Sequence, residues 1–365
     1  MKEFRIKRVL IENGAESDSI TQKVIKKLQN VPINFVKADE LAGRENKDMD
    51  KGSLRLIHYN GEILKPCPGT KGYICCGYQI LNIGINCPMD CSYCFLQSYM
   101  NQPSLRIFSN LYNKLNIINE FIEGSPDRIF RIGTGEFTDS LSLDYIIKWT
   151  DVLLPFFSQK NNCILELKTK TSLINGLISS SPSHRSRIVV AWSLNTPRII
   201  AKEESGTASL KMRILAAKKC QEIGFVLAFH FDPLIFYPGW EEEYAETIDL
   251  LQKHIAPESI IWISLGSFRY MPELKRVIKM RFPRTQIFDG EFIPGLDKKF
   301  RYFKPIRIKM YSKLSERLNK WHDDLGIYLC MESDDVWEKS LGWSPKNSEN
   351  LSDYLDNRVK KLIGN

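Results

Sequence analysis

From about residue 77, short apolar runs alternate with stretches of helical periodicity, and this alternation constrains the fold more than any other feature. The apolar runs are QILNIGIN, RIFRIGTGE, CILELKTK, RIVVAWSLN, GFVLAFHFD and IIWISLGSF. Helix-period segments cover 112–123, 143–157, 208–223, 241–254 and 271–281. Short apolar strands alternating with helices of this length predict a parallel sheet with crossover helices. Six such units suit a barrel or partial barrel as well as an open doubly wound sheet. In each case ligand chemistry belongs at the carboxyl ends of the strands, where the connecting loops begin.

The flanks read differently. Residues 1–75 form a small N-terminal α/β unit, with a strand at RVLIE and a helix at SITQKVIKKLQN opened by a serine-type cap. The polar stretch KADELAGRENKDMDKGS reads as an exposed connection. The sheet then occupies 76–290. Residues 291–365 read as a cap, because DKKFRYFKPIRIKMYSKLSERLNKWHDD is basic with interleaved aromatics and fits a strand or hairpin followed by a helix. No apolar run approaches the roughly 20 residues that span a bilayer. The charged N-terminus lacks a signal-peptide core, so a cytoplasmic location is expected. A formal charge of +8 is compatible with a polyanionic partner.

Nine cysteines lie at 67, 75, 76, 87, 91, 94, 163, 220 and 330, an odd and clustered set unlike a secreted disulfide framework. Cys87, Cys91 and Cys94 form a C-x3-C-x2-C triplet directly after the first sheet strand. A structural zinc site needs four protein ligands, and Cys67, Cys75 and Cys76 form no C-x2-C partner pair for it. A redox pair at Cys91 and Cys94 would leave Cys87 idle. Three thiolates on one tight loop can instead hold three corners of a [4Fe–4S] cluster, leaving one iron open. Cys163 and Cys220 sit in strand and helix patterns and read as core.

The triplet, in this βα context, resembles the radical S-adenosylmethionine (SAM) superfamily, in which the open iron chelates SAM and reduction yields a 5′-deoxyadenosyl radical. The resemblance implies an α/β fold of the partial (β/α)6 barrel type. It also implies that Cys87, Cys91 and Cys94 hold the cluster and that Tyr93 packs near the adenine. GTGE at 133–136 resembles the superfamily's Gly-Gly-Glu motif, which makes Gly133, Gly135 and Glu136 contacts for SAM's amino group. Lys170, Ser193 and Asn195, at later strand ends, are candidates for its carboxylate and ribose.

Further runs narrow the resemblance. LRIFSN, ESGTAS, FRYMPELKRVIKMRFPRT and KFRYFKP are similar to the spore photoproduct lyase family. That family reverses a methylene-bridged thymine dimer in DNA. The resemblance therefore implies a radical SAM carbon–carbon lyase, damaged DNA as partner, and a low-potential electron donor such as a flavodoxin or ferredoxin. Lys299, Arg301, Tyr302, Phe303, Lys304 and Arg307 become the candidate DNA contacts. Two positions depart from the lyases: Glu136 stands where they carry a hydrogen-returning cysteine, and Phe95 where they carry a relay tyrosine. Cys330 is the candidate substitute thiol, and Cys67, Cys75 and Cys76 hold an auxiliary metal or line the mouth. The departures keep two alternatives open, a radical SAM enzyme acting on another nucleic-acid or peptide substrate and a zinc-stabilised nucleic-acid-binding protein.

Overall fold

The computed structural model describes residues 3–37, 51–70, 72–100 and 104–364, so most of the expected exposed connection at 37–53 lies outside the described residues. Its largest sheet has eight strands, ordered Ile327–Leu329, Ile260–Ser267, Val226–Leu234, Ile188–Ser193, Cys163–Thr169, Phe130–Gly133, Gln79–Leu81 and Leu64–Pro66. Every neighbouring pair is parallel except the last. From Gln79–Leu81 onward the spatial order follows the chain without reversal. A doubly wound sheet reverses at a switch point. Without one, same-handed crossovers lay their helices on a single face and the sheet curls its other face around a core. The partial barrel is therefore the form adopted, with seven parallel strands.

Two boundaries differ from the sequence expectation. Ile327–Leu329, inside the expected cap, forms the far edge of the barrel sheet. The run QILNIGIN is split: Gln79–Leu81 joins the barrel, whereas Gly84–Ile85 pairs antiparallel with Leu105–Phe108 in a second sheet. A side chain at Gly84 would meet the Arg106 carbonyl at 2.7 Å, so the crossing needs glycine.

That second sheet, of five strands, is ordered Ile33–Val36, Arg8–Glu12, Ser53–Ile57, Leu105–Phe108 and Gly84–Ile85. The cysteine loop spans its last two strands, which fastens the N-terminal unit to the barrel mouth. The first helix, Ser19–Lys27, is preceded by Asp18 rather than a serine cap. Asp18 does not cap it but accepts a hydrogen bond from Ser109 Oγ at 2.7 Å. The 143–157 segment is two helices, Asp144–Ile147 and Thr150–Ser158, parted at Lys148 with a left-handed φ of 62°. The Asp144 carboxylate accepts from Thr150 N and Oγ1 at 2.9 and 2.7 Å and so starts the second helix.

The basic-aromatic segment forms the hairpin Phe292–Pro294/Phe300–Tyr302, extended by Arg269–Tyr270, and then the helix Lys304–Trp321. Most of its rings pack on one another: Tyr270 stacks on Phe300 at 5.6 Å, and Phe292 on Tyr302 at 4.4 Å. Among the described residues no helix is long and apolar enough to cross a membrane.

Candidate active site

At the carboxyl ends of the barrel strands lies a cavity of about 1310 Å³. The cysteine loop, the N-terminal unit (Phe4, Arg5, Lys7, Lys51), the strand ends and the loop after Ser267 together wall it. Cys87, Cys91 and Cys94 all lie on this wall.

Their loop is clamped. Asp90–Cys91 pairs antiparallel with Glu204–Ser205, and Ser92 N donates to Glu203 O at 2.8 Å. Ser92 Oγ also donates to the Glu203 carboxylate, and Tyr93 Oη to Glu204. Arg213, fully buried, donates to Glu204 and to Ser193 O, the latter at 2.9 Å. Burial alone would raise the Glu204 carboxyl, but Arg213 and Lys170 beside it hold it below the ordinary carboxylate range. The ESGTAS run is thus the anchor of the cysteine loop, a role its polar composition did not announce.

Burial pushes the Cys87 thiol up to about 12 and raises Cys91 and Cys94 as well. Unligated they stay protonated, and metal binding would displace those protons. Among the described residues no three His, Cys, Asp or Glu side chains are gathered as around a single ion. Three thiols on one tight loop facing a common cavity are the donor set a [4Fe–4S] cluster would use, and one short of the four that structural zinc takes.

The strand-end motif follows. Gly135 and Glu136 line the cavity, whereas Gly133 lies behind it. A side chain at Gly133 would collide with Tyr78 Oη at 1.4 Å, so this glycine serves packing rather than ligand approach. Asp139, unnoticed in the sequence, fixes the loop: its carboxylate accepts from Leu141 N, Ser142 N, Thr169 Oγ1 and Lys170 N at 2.8–3.0 Å. Lys170 and Ser193 reach the wall, with Lys170 Nζ 5.8 Å above the Tyr93 ring. Asn195 does not reach it. It is 1% exposed, donates to Pro233 O at 2.9 Å and accepts from Tyr244 Oη at 2.6 Å, so it shapes the wall from behind.

The barrel interior is charged. Lys168 lines the cavity, and although burial disfavours its charge, Glu136, Glu166 and Asp232 hold its pKa above the usual lysine value. Asp232 and Arg269 pair through both carboxylate oxygens at 3.1 and 3.2 Å. Deeper in, Glu166 accepts from Trp262 Nε1 at 2.9 Å and lies 3.2 Å from His230 Nε2.

Cys330 stands off the wall, its Sγ accepting from Arg269 Nη2 at 3.4 Å. Cys67 lines the cavity, its thiol pushed up to about 12 by burial and by neighbouring Cys76. Cys75 lies beside it and donates through its backbone to Ser348 Oγ.

Three of the expected DNA contacts are structural instead. Arg301, 1% exposed, is tied to Asp297 and stacks 4.2 Å over the Tyr73 ring. Arg307 is buried against Glu332 at 3.0 Å. Tyr302 is fully buried, its Oη accepting from Phe236 N at 3.1 Å. Guanidinium groups with carboxylate partners inside a fold are fold elements; Asp297 lies four residues before Arg301 across the hairpin turn, whereas Glu332 lies 25 residues beyond Arg307. Lys299 does line the cavity, while Phe303 and Lys304 are exposed and Lys304 pairs with Asp335 at 3.0 Å.

A parallel half-barrel with a three-cysteine loop at its carboxyl-end mouth defines the radical SAM class. The chain belongs to the spore photoproduct lyase family, whose profile matches residues 75–305. Relatives of that description include those of Geobacillus sp., 24% identical over 208 residues (56% of this chain, 60% of the relative), and Bacillus subtilis, 26% over 205 (55% and 59%). The chain thus spans about 60% of their length. The relative of Clostridium acetobutylicum is 22% identical over 294 residues, 78% of this chain and 85% of that one. Among solved structures, a double mutant of spore photoproduct lyase with bound AdoMet and dinucleoside spore photoproduct superposes with a TM-score of 0.79 at 19% identity. It covers 91% of this chain and 100% of its own. A spore photoproduct lyase complexed with dinucleoside spore photoproduct gives 0.79 at 20%, covering 90% of this chain and 100% of its own. At these identities the structures establish the shared fold.

Proposed function

We propose that this chain is a radical SAM lyase that reverses a thymine-dimer lesion in DNA. The observation that carries this reading is the convergence of Cys87, Cys91, Cys94, Tyr93, Gly135, Glu136, Lys170 and Ser193 on one cavity wall. A [4Fe–4S] cluster with an open iron, together with SAM, supplies a 5′-deoxyadenosyl radical. The three cysteines would hold that cluster. Lys170 can meet the SAM carboxylate, Glu136 its ammonium, Ser193 its ribose, and the anchored Tyr93 ring its adenine. The cluster's electron would come from a flavodoxin- or ferredoxin-like donor, consistent with a reducing cytoplasm and nine free cysteines.

Two thiols can return hydrogen to the substrate in place of the cysteine that Glu136 replaces, Cys67 on the wall and Cys330 behind Arg269. Cys67→Ala is expected to lower lesion reversal at least about ten-fold with SAM cleavage retained, and Cys330→Ala to have the smaller effect.

Glu136, Phe95 and the charged interior at Lys168, Asp232 and Arg269 favour a second reading, in which the same radical chemistry acts on a different nucleic-acid substrate. Anaerobic reconstitution separates these readings. Iron and sulfide binding, SAM cleavage and conversion of spore photoproduct DNA to two thymines support the first. SAM cleavage without lesion reversal leaves the second. Colourless, zinc-loaded protein overturns both.

A further inference from the structure

Contiguous apolar rings left in water call for an occupant. Phe95 and Tyr99 keep 39% and 62% of their surface exposed, unlike the buried Tyr270 and Tyr302 of the hairpin cluster. With Phe137 they form a triangle with centroid separations of 5.9, 6.1 and 5.9 Å. The rings meet at 59°, 70° and 32°, so no pair stacks face to face and planar faces stay open to a fourth group. All three line the cavity that holds the cysteine triplet.

We propose that Phe95, Tyr99 and Phe137 form a stacking subsite for a nucleobase adjacent to the one presented at the triplet. The proposal rests on the DNA reading above and deepens it. Every base has a π face, so an aromatic platform accepts one whatever its sequence. Basic side chains outnumber acidic ones on the wall by eight to five, which suits a phosphate-bearing strand over a neutral apolar ligand. Position agrees, since Phe95 directly follows Cys94 and the turn Leu96–Tyr99 brings residue 99 beside it. Phenylalanine at 95 cannot relay a hydrogen, but it keeps the flat face, and stacking is the role left to it.

Fluorescence anisotropy of a labelled single-stranded thymidine oligonucleotide, measured across a salt series on the cluster-loaded full chain, tests this. Tyr99→Ala is expected to weaken binding about ten-fold, within the range of one base–ring stack. The salt dependence should hold at the wild-type slope, because phosphate contacts are untouched. Tyr99→Trp is expected to bind like wild type, with indole emission quenched by the oligonucleotide. Alanine-variant binding within about two-fold of wild type, or an unquenched tryptophan, overturns the subsite. A parallel loss of SAM binding would assign the ring to the cofactor, and equal competition by a tyrosine-containing acidic peptide would assign it to a peptide. Either result overturns the proposal. Wild type that fails to hold the oligonucleotide sinks the DNA reading itself, an outcome distinct from wild type and variant binding alike.

Discussion

The cysteine loop at 87–94 and the basic-aromatic segment at 299–307 look equally functional in the sequence, yet the fold uses them in opposite ways. The loop's thiols line a cavity, and its neighbours Ser92 and Tyr93 are spent on holding it there. The segment's rings and guanidinium groups are mostly turned inward, building a small core and two buried ion pairs. Spacing predicts chemistry better than composition does. Three thiols at fixed intervals have few structural uses, whereas arginine and tyrosine serve folding and binding equally well.

Removing a thiol sharpens that contrast most. Cys91→Ala is expected to lose cluster iron and all SAM cleavage while the chain stays folded, read by iron assay and circular dichroism. On the other side, Glu332→Gln leaves Arg307 buried without its carboxylate and should cost about 3–5 kcal/mol in urea unfolding. DNA affinity of the folded protein should not change, and a selective DNA defect would return Arg307 to the interface.

A smaller, pH-dependent effect attaches to Asp232. Burial would raise its carboxyl, but Arg269 holds it below the ordinary range. The stabilisation from a depressed acid is complete above its unfolded pKa and lost as pH falls through the folded value. Wild type should therefore exceed Asp232→Asn in stability at neutral pH, with the gap closing on acidification below the usual aspartate range. Thermal melts between neutral and acid pH would show it. Smallest of all, Tyr302→Phe removes one hydrogen bond to the Phe236 amide and should cost about 1 kcal/mol without altering oligonucleotide binding.

Much of the barrel was legible because its strands are buried on both faces: IVVAWS is an almost unbroken apolar run, and CILELKT stays buried even at Glu166. The hairpin-then-helix near the C-terminus was legible too. What stayed hidden depends on partners that the fold, rather than any sequence pattern, brings together. Gly84 crosses between sheets because of Arg106. Arg301 and Arg307 are neutralised by Asp297 and Glu332. Asp139 reaches Thr169 and Lys170, and Glu204 reaches Tyr93, across separations that no local pattern encodes. Within the site, wall residues such as Lys170 and Ser193 could be found from strand ends, but Asn195, two residues past Ser193, turns away toward Tyr244.

The short backbone pairing between Asp90–Cys91 and Glu204–Ser205 ties the sulfur-bearing loop to a crossover of the barrel. Two protein segments far apart in sequence therefore share the work of placing the sulfurs. A change in the crossover at Glu204–Ser205 would accordingly be felt at residues 90 and 91, more than a hundred positions earlier in the chain.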